Sequence, residues 1–349
     1  MGKEECKMLQ AVMTAPGEIL FKEVPTPEPA EREVLVQMMR IGVCGSDIHV
    51  YHGKHPFTSY PVVQGHEISG RIVALGKEVK EFEKGNKVTI LPQVVCGQCR
   101  QCQTGRYHIC DHLKVMGFQT TGTASDYFSV DADRVLKLPE EMNWDHGAMV
   151  EPLAVGVHAL ARSRDISGKN ILVLGAGPIG NLTAQAAKGM GARRVMITDI
   201  SKYRLGIAEK CGIDFCVNSM AKDLTTELKN AFGPDGADLI MECVGTNTTI
   251  DQAVANARKG TDIIVVGVFE EKANVDLGLL QDRELRLIGT LMYQRPDFEK
   301  AVDLIGTNSV SLDPLISDYF DFTDYSKAYL HIEKNKEKSL KVFIKGRMS

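Results

Sequence analysis

ILVLGAGPIG, residues 171–180, closes a run of apolar residues of strand length and opens a segment of helical period, PIGNLTAQAAKGMGA (178–192). Its three glycines stand in G-x-G-x-x-G spacing between the two. Strand, tight turn and helix in immediate succession form the first half of a β-α-β unit. Gly175 permits the tight turn, Gly177 lets a pyrophosphate approach the backbone, and Gly180 lets helix and strand pack closely. Pro178 and Ile179 begin the helix, whose free N–H groups then face the phosphates.

Toward the C-terminus the pattern repeats. RVMITD (194–199), ADLIMEC (237–243), DIIVVG (262–267) and LRLIG (285–289) have strand length, and helical segments such as NTTIDQAVANARKG (247–260) lie between them. Apolar strands alternating with helices predict a doubly wound α/β domain, a parallel sheet covered on both faces. Asp199 stands nineteen residues after Gly180, at the end of RVMITD. A carboxylate there accepts hydrogen bonds from the adenosine ribose and repels a 2′-phosphate, so NAD is expected over NADP; Arg204 lies near enough to soften the choice. Val244, Val266 and Gly267, at the ends of later strands, complete the expected cofactor-binding set.

Upstream of about residue 154 the texture changes. EVLVQMMRIGV (33–43), HEISGRIVAL (66–75) and KVTILP (87–92) are separated by turns such as PTPEP (25–29) and EKGNK (83–87). Short strands with frequent turns predict a barrel-like β domain. The tail carries helix-like DFEKAVDLI (297–305) and a strand, KVFIKG (341–346), so the expected division is 1–153 with 290–349, and 154–289.

Across 349 residues, 44% hydrophobic and 25% charged with a net charge of −4, nothing favours nucleic acid or an anionic membrane as partner. The opening MGKEECKMLQ lacks the apolar core of a signal peptide, and a cytoplasmic enzyme is expected. Cysteine usage says more. Four of the nine crowd into fifteen residues as C-x2-C-x2-C-x7-C: Cys96, Cys99, Cys102 and Cys110. In a cytosolic chain such a cluster favours a metal over disulfides, and four thiolates close a tetrahedron around a structural Zn²⁺. An iron–sulfur cluster fits similar spacing, but the chain offers it no electron-transfer context. His108 and His112 flank the loop and are expected at the surface. A second constellation is dispersed: Cys44 in RIGVCGSDIHVYHG (40–53), His66 and Glu67 in VVQGHEISG (62–70), and Glu151 in MVEPLAVGVHAL (149–160). Each follows an apolar run. Singly, each also has an ordinary explanation, a buried thiol or a polar surface pair.

GVCGSDIH, GHEISGRIVALGKEV, the four-cysteine loop, EPLAVGVHA and VLGAGPIG occur in that order. Together they resemble the zinc-containing medium-chain dehydrogenases, with EPLAVGVHA leaning toward the sorbitol and threonine dehydrogenase branch. The resemblance implies a GroES-like β-barrel catalytic domain and a Rossmann coenzyme domain, one catalytic and one structural zinc per chain, and NAD. It implies Cys44 and His66 as catalytic zinc ligands, Glu67 as a ligand or a close second, and Glu151 either joining the shell or holding the zinc-bound water. Ser46 and His49 occupy the positions that carry the proton outward, and Asp47 orients the loop or caps a helix. All four structural cysteines are present, whereas animal sorbitol dehydrogenases lack most of them. In LMYQRP (291–296), Met292 fills the slot of the branch's arginine, Tyr293 is kept, and Arg295 is displaced by three. Tyr293 and Arg295 are thus the expected substrate residues, with Tyr51, His52 and His55 at the mouth of the cleft. The expected activity is oxidation of a secondary alcohol on a small polar substrate to a ketone. A polyol or sugar acid leads; threonine and a sugar phosphate stay open. Rival readings are a zinc-free quinone or enoyl reductase and a non-enzymatic NAD-binding protein. A homo-oligomer is expected, tetramer over dimer.

Overall fold

The computed structural model describes residues 6–163 and 165–347. Contacts divide the chain into two units: one runs to Glu151 and resumes at Ile316, the other is Pro152–Leu315.

In the second unit, Asn170–Leu174 is buried along its whole length, so it carries no polar face and must lie inside a sheet covered on both sides. Six strands, all parallel, form that sheet. Their order is Phe215–Asn218, Arg194–Asp199, Asn170–Leu174, Leu239–Glu242, Asp262–Val265, Arg286–Gly289. The chain starts at Asn170–Leu174, winds one way, returns, and winds the other way. That reversal opens a crevice at the carboxyl ends of the central strands, where ligands of such sheets bind. Helix Pro178–Gly189 begins there, with extended Gly177 before it and proline in its first turn.

Helix Arg295–Gly306 packs against Pro178–Gly189, with Leu304 lying over Gly189, and the Ser311 N–H donates to Gln185 Oε1 at 2.6 Å. The apolar face of that helix therefore ties residues 290–315 to the second unit, and the chain returns to the first at Ile316 rather than near 290.

The spine of the first unit is Glu33–Val43. One of its edges pairs with Tyr127–Asp131 along the first half and Lys341–Lys345 along the second; the other edge pairs with Glu67–Leu75. Ile316–Asp321 flanks Lys341–Lys345, and Lys87–Ile90 and Val135–Lys137 continue beyond Glu67–Leu75. Register shifts between the two longest strands bend them, as bulges do. Inside the curve Val34, Ile41, Ile68, Ile72 and Val88 form a core with essentially no exposure. Hairpin Lys7–Ala15/Glu18–Pro25 adds to this unit. Among the described residues no helix is long and apolar enough to cross a membrane.

Candidate active site

Strand pairing builds the site. Gly42 faces Glu67 across an antiparallel ladder, so Cys44 leaves one strand where His66 enters the other. The donor atoms of Cys44, His66 and Glu67 lie within 4.8 Å of one another. Cys44 also precedes helix Gly45–Tyr51, where its N–H donates to Asp47 Oδ2 at 2.9 Å. Asp47 thereby caps the helix and ties the loop. Its other oxygen is 3.6 Å from His66 Nδ1 and accepts from Gln64 Nε2 at 3.2 Å, and the Tyr329 hydroxyl donates to Gln64 Oε1 at 2.9 Å. Asp47, Gln64 and Tyr329 are all buried. On the same helix Ser46 is half-buried and His49, three residues on and so on the same face, is exposed. Glu151 is buried in the first turn of helix Val150–Ala161.

Charge in this cluster runs negative. Burial disfavours the imidazolium, yet Asp47, Cys44 and Glu151 together hold His66 well above its ordinary value. Burial likewise raises Asp47 against the pull of His66 and the Cys44 N–H. A sulfur, an imidazole and a carboxylate whose donor atoms lie within 4.8 Å of one another suit a divalent cation, and the donor types are those zinc takes. Glu67 has a second partner. Lys341 Nζ donates to both of its oxygens, at 2.7 and 2.6 Å.

The four-cysteine loop passes a metric test. A tetrahedron with metal–sulfur bonds of about 2.3 Å has edges of about 3.8 Å. Cys99 Sγ and Cys110 Sγ are 3.8 Å apart, and Cys110 Sγ and Cys96 Sγ 3.5 Å. The N–H groups of Cys96 and His112 donate to Cys110 Sγ, and that of Cys99 to Cys96 Sγ. N–H donors of this kind bring Cys99 down to about 6, while burial and its sulfur neighbours push Cys102 up to about 12. His112 is exposed, but His108 is buried, contrary to the surface position expected for it. Its place in a tight turn that folds inward explains the difference.

The glycine turn behaves as its spacing demands. Gly175 has φ of +100°, and a Cβ on it would come 2.5 Å from Val244 Cγ2. A Cβ on Gly180 would stand 1.9 Å from the Gly175 carbonyl oxygen, whereas one on Gly177 would meet no protein atom within 4 Å. Open space thus lies over Gly177, at the helix N-terminus. Asp199 borders it, accepting from the Ala176 and Ser201 N–H groups, each at 2.8 Å. Arg204 Nη1 is 3.9 Å from that carboxylate. Val244 is half-exposed, and Gly267 packs against the Gly245 backbone.

The remaining expected residues are scattered. Tyr293 is 1% exposed and packs edge-on against Phe298, following Met292, which takes a left-handed φ of 52°. Arg295, half-buried, opens helix Arg295–Gly306. Tyr51 is buried against Tyr329 rather than lining a mouth, and His52 contacts Glu333. His55 packs on Phe118, whose ring also lies 5.0 Å from that of His66. Phe118, Gln64, Tyr329 and Lys341 escape sequence reading, because each meets the site only through tertiary packing.

Comparison with known proteins gives two family models: "Alcohol dehydrogenase GroES-like domain" matches residues 30–140 and "Zinc-binding dehydrogenase" matches 178–307. The first unit therefore carries a GroES-like domain, and the second the parallel Rossmann-type sheet. The chain is 30% identical to a sorbitol dehydrogenase of Bacillus subtilis (strain 168), over 97% of each chain. It is 34% identical to a 2-dehydro-3-deoxy-L-galactonate 5-dehydrogenase of Pseudoalteromonas atlantica, over 88% of this chain and 90% of that one. A solved structure described as a zinc-binding dehydrogenase of Sinorhizobium meliloti 1021, bound to NADP, superposes with a TM-score of 0.90 at 29% identity, covering 97% of this chain and 99% of the other.

Proposed function

The chain belongs to the zinc-containing medium-chain alcohol dehydrogenase family, a zinc-dependent alcohol or polyol dehydrogenase, and we propose that it oxidises a secondary alcohol of a polyol or sugar acid to the ketone with NAD as hydride acceptor. The observation that carries this reading is the convergence of the donor atoms of Cys44, His66 and Glu67 within 4.8 Å of one another.

Zinc held there supplies Lewis acidity, which lowers the pKa of a bound alcohol toward neutrality. Cys44 and His66 would hold the metal, and the Asp47 carboxylate, 3.6 Å from His66 Nδ1, stands beside that ring as its buried counter-charge. Ser46 accepts the alcohol proton and His49, exposed on the same helix face, delivers it to water. Glu151, buried in the first turn of its helix, would join the metal's shell or orient the bound substrate. Cys96, Cys99, Cys102 and Cys110 hold a second, structural zinc. Gly177 and the N–H groups behind it receive the pyrophosphate, and Gly175, Pro178, Ile179, Gly180, Val244, Val266 and Gly267 shape that crevice. Asp199 favours NAD, since a carboxylate with two N–H partners keeps lone pairs for ribose hydroxyls and repels a phosphate.

A carboxylate would donate less charge to the metal than a second thiolate and can shift to admit a chelating diol. This and the sugar-acid and sorbitol relatives support a polyhydroxylated substrate. Arg295 is the proposed reader of a carboxylate or phosphate, and Tyr293, two positions before it and buried against Phe298, the second proposed substrate residue. The test is NADH formation at saturating NAD against sorbitol, xylitol, galactitol, gulonate, idonate, threonine, a hexitol phosphate and 2-propanol. A response confined to polyols or sugar acids supports the proposal; turnover restricted to 2-propanol or threonine contradicts it. A cytoplasmic homo-oligomer, tetramer rather than dimer, is proposed as well and is read by light scattering.

A further inference from the structure

The stretch EPLAVGVHA (151–159) carries a histidine that neither the metal site nor the glycine turn employs. His158 lies in helix Val150–Ala161 and is buried, and its Nδ1 is 2.8 Å from Oδ2 of Asp297, a buried residue 139 positions further along the chain. That oxygen also accepts the Gln294 N–H at 2.7 Å, so it is an acceptor and the imidazole nitrogen is the donor. The Asp297 N–H returns a bond to the Gln294 carbonyl at 3.0 Å, which closes a ring at the start of helix Arg295–Gly306. Two other helices of this unit are capped by carboxylates that stand in solvent, Asp223 and Asp276. A solvated cap needs nothing more. The cap at Asp297 is covered, and a directional donor ties it to a different helix.

What the tie holds is the segment after strand Arg286–Gly289. Met292 sits there at φ 52°, a left-handed backbone that a residue with a side chain keeps only where its neighbours enforce it. Tyr293 meets Phe298 edge-on, with ring centroids 4.8 Å apart. Gln294 and Arg295 follow, one bonded to Asp297 and the other opening the helix. Without the imidazole the buried carboxylate must find another donor, and the Gln294 N–H moves with it.

We propose that His158 is a positioning residue for substrate recognition, which through Asp297 fixes residues 292–295 and so sets where Tyr293 and Arg295 meet the substrate's distal hydroxyl or anionic group. This rests on the substrate role proposed above for those two residues. His158 acts without touching substrate, metal or cofactor. Groups that read the far end of a substrate contribute uniform binding, whose loss appears in KM with kcat kept.

The test uses full-length, metal-replete protein with sorbitol and gulonate at saturating NAD. His158→Leu is expected to raise KM about 10- to 100-fold, with kcat and the NADH Kd within about twofold of native. It should also speed amide hydrogen exchange at 290–297 while strand Asn170–Leu174 stays protected. His158→Asn, whose side-chain N–H group can stand where Nδ1–H does, restores both KM and protection. His158→Leu/Asp297→Asn keeps an acceptor for the Gln294 N–H and removes the lone buried charge, so it carries the test if His158→Leu does not fold; the same rise in KM is expected. Native KM, a loss in kcat or NADH affinity equal to the rise in KM, or native exchange at 290–297 overturns the proposal. Failure of the underlying substrate role looks different: Tyr293→Phe and Arg295→Gln would then keep native KM while exchange in His158→Leu still rises. Native protein that oxidises neither sorbitol nor gulonate removes the proposed activity itself, and exchange alone then decides whether His158 holds the segment.

Discussion

Gly177→Ala and Gly180→Ala alter neighbouring glycines of one turn and are expected to fail in opposite ways. A methyl on Gly180 would stand 1.9 Å from a backbone oxygen, that of Gly175, which has no rotamer by which to yield. Helix Pro178–Gly189 must then separate from strand Asn170–Leu174, whose residues are wholly buried. Overpacking of this kind costs about 1–3 kcal/mol, or a Tm lower by about 3–10 °C. A methyl on Gly177 meets no protein atom within 4 Å. The backbone there, φ −65° and ψ 178°, suits alanine, and a less flexible unfolded chain offsets any loss at the helix cap. Stability should stay within about 0.5 kcal/mol of native. The methyl would, however, stand where the pyrophosphate approaches the backbone. If displacing it costs about 1–3 kcal/mol, the Kd for NADH rises about 5- to 150-fold. Fluorescence titration with NADH and a thermal melt on the same samples decide the matter. Native NADH affinity in Gly177→Ala, or a loss of stability that tracks its loss of affinity, would refute the assignment of that open space to the cofactor.

Asp47→Asn should lower metal affinity at the Cys44–His66 site about 10- to 100-fold while leaving the four-cysteine metal in place, as read by metal analysis after graded chelation. Ser46→Ala should cut turnover by about 100-fold or more with little change in NADH affinity; equal losses in both would remove the relay role. Asp199→Ala should erode discrimination against NADP, seen as a rise in kcat/KM with NADP relative to NAD, whereas an unchanged ratio would assign the choice elsewhere. Burial pushes Cys211 up to about 11 and Cys216 up to about 12, so both should resist alkylation at pH 8 in the native state and label rapidly in urea. Because these folded values lie above the usual thiol value near 8.5, their stabilising contribution is complete below about pH 8.5 and declines as pH rises through 11 and 12.

The parallel sheet was legible because its central strands are buried on both faces: ILVL in Asn170–Leu174 and LIM in Leu239–Glu242 are apolar runs, and the helices between them begin on glycine, proline and capping side chains. The four-cysteine loop was legible for a local reason, since all four ligands fall in one short segment. Cys44, His66 and Glu67 depend on pairing between distant strands, which spacing alone does not reveal; their grouping came from resemblance, and the ladder that sets Gly42 against Glu67 now supplies its physical basis. Hidden altogether was the support behind them. Tyr329 reaches the site through Gln64 across 265 positions of sequence, and Lys341 reaches Glu67 across 274. Such contacts leave no periodicity. The boundary near 290 was displaced because the apolar face of Arg295–Gly306 matches helix Pro178–Gly189, a choice between two possible neighbours that its pattern does not record.

The most direct test of a zinc-dependent dehydrogenase centred on Cys44 and His66 joins zinc content to polyol oxidation in native protein and in His66→Ala. Native protein is expected to hold two zinc ions per chain and to reduce NAD with a polyol or sugar acid, and His66→Ala to keep the cysteine-bound zinc alone, bind NADH normally and lose turnover. Two retained zinc ions with undiminished NADH formation in His66→Ala would contradict it.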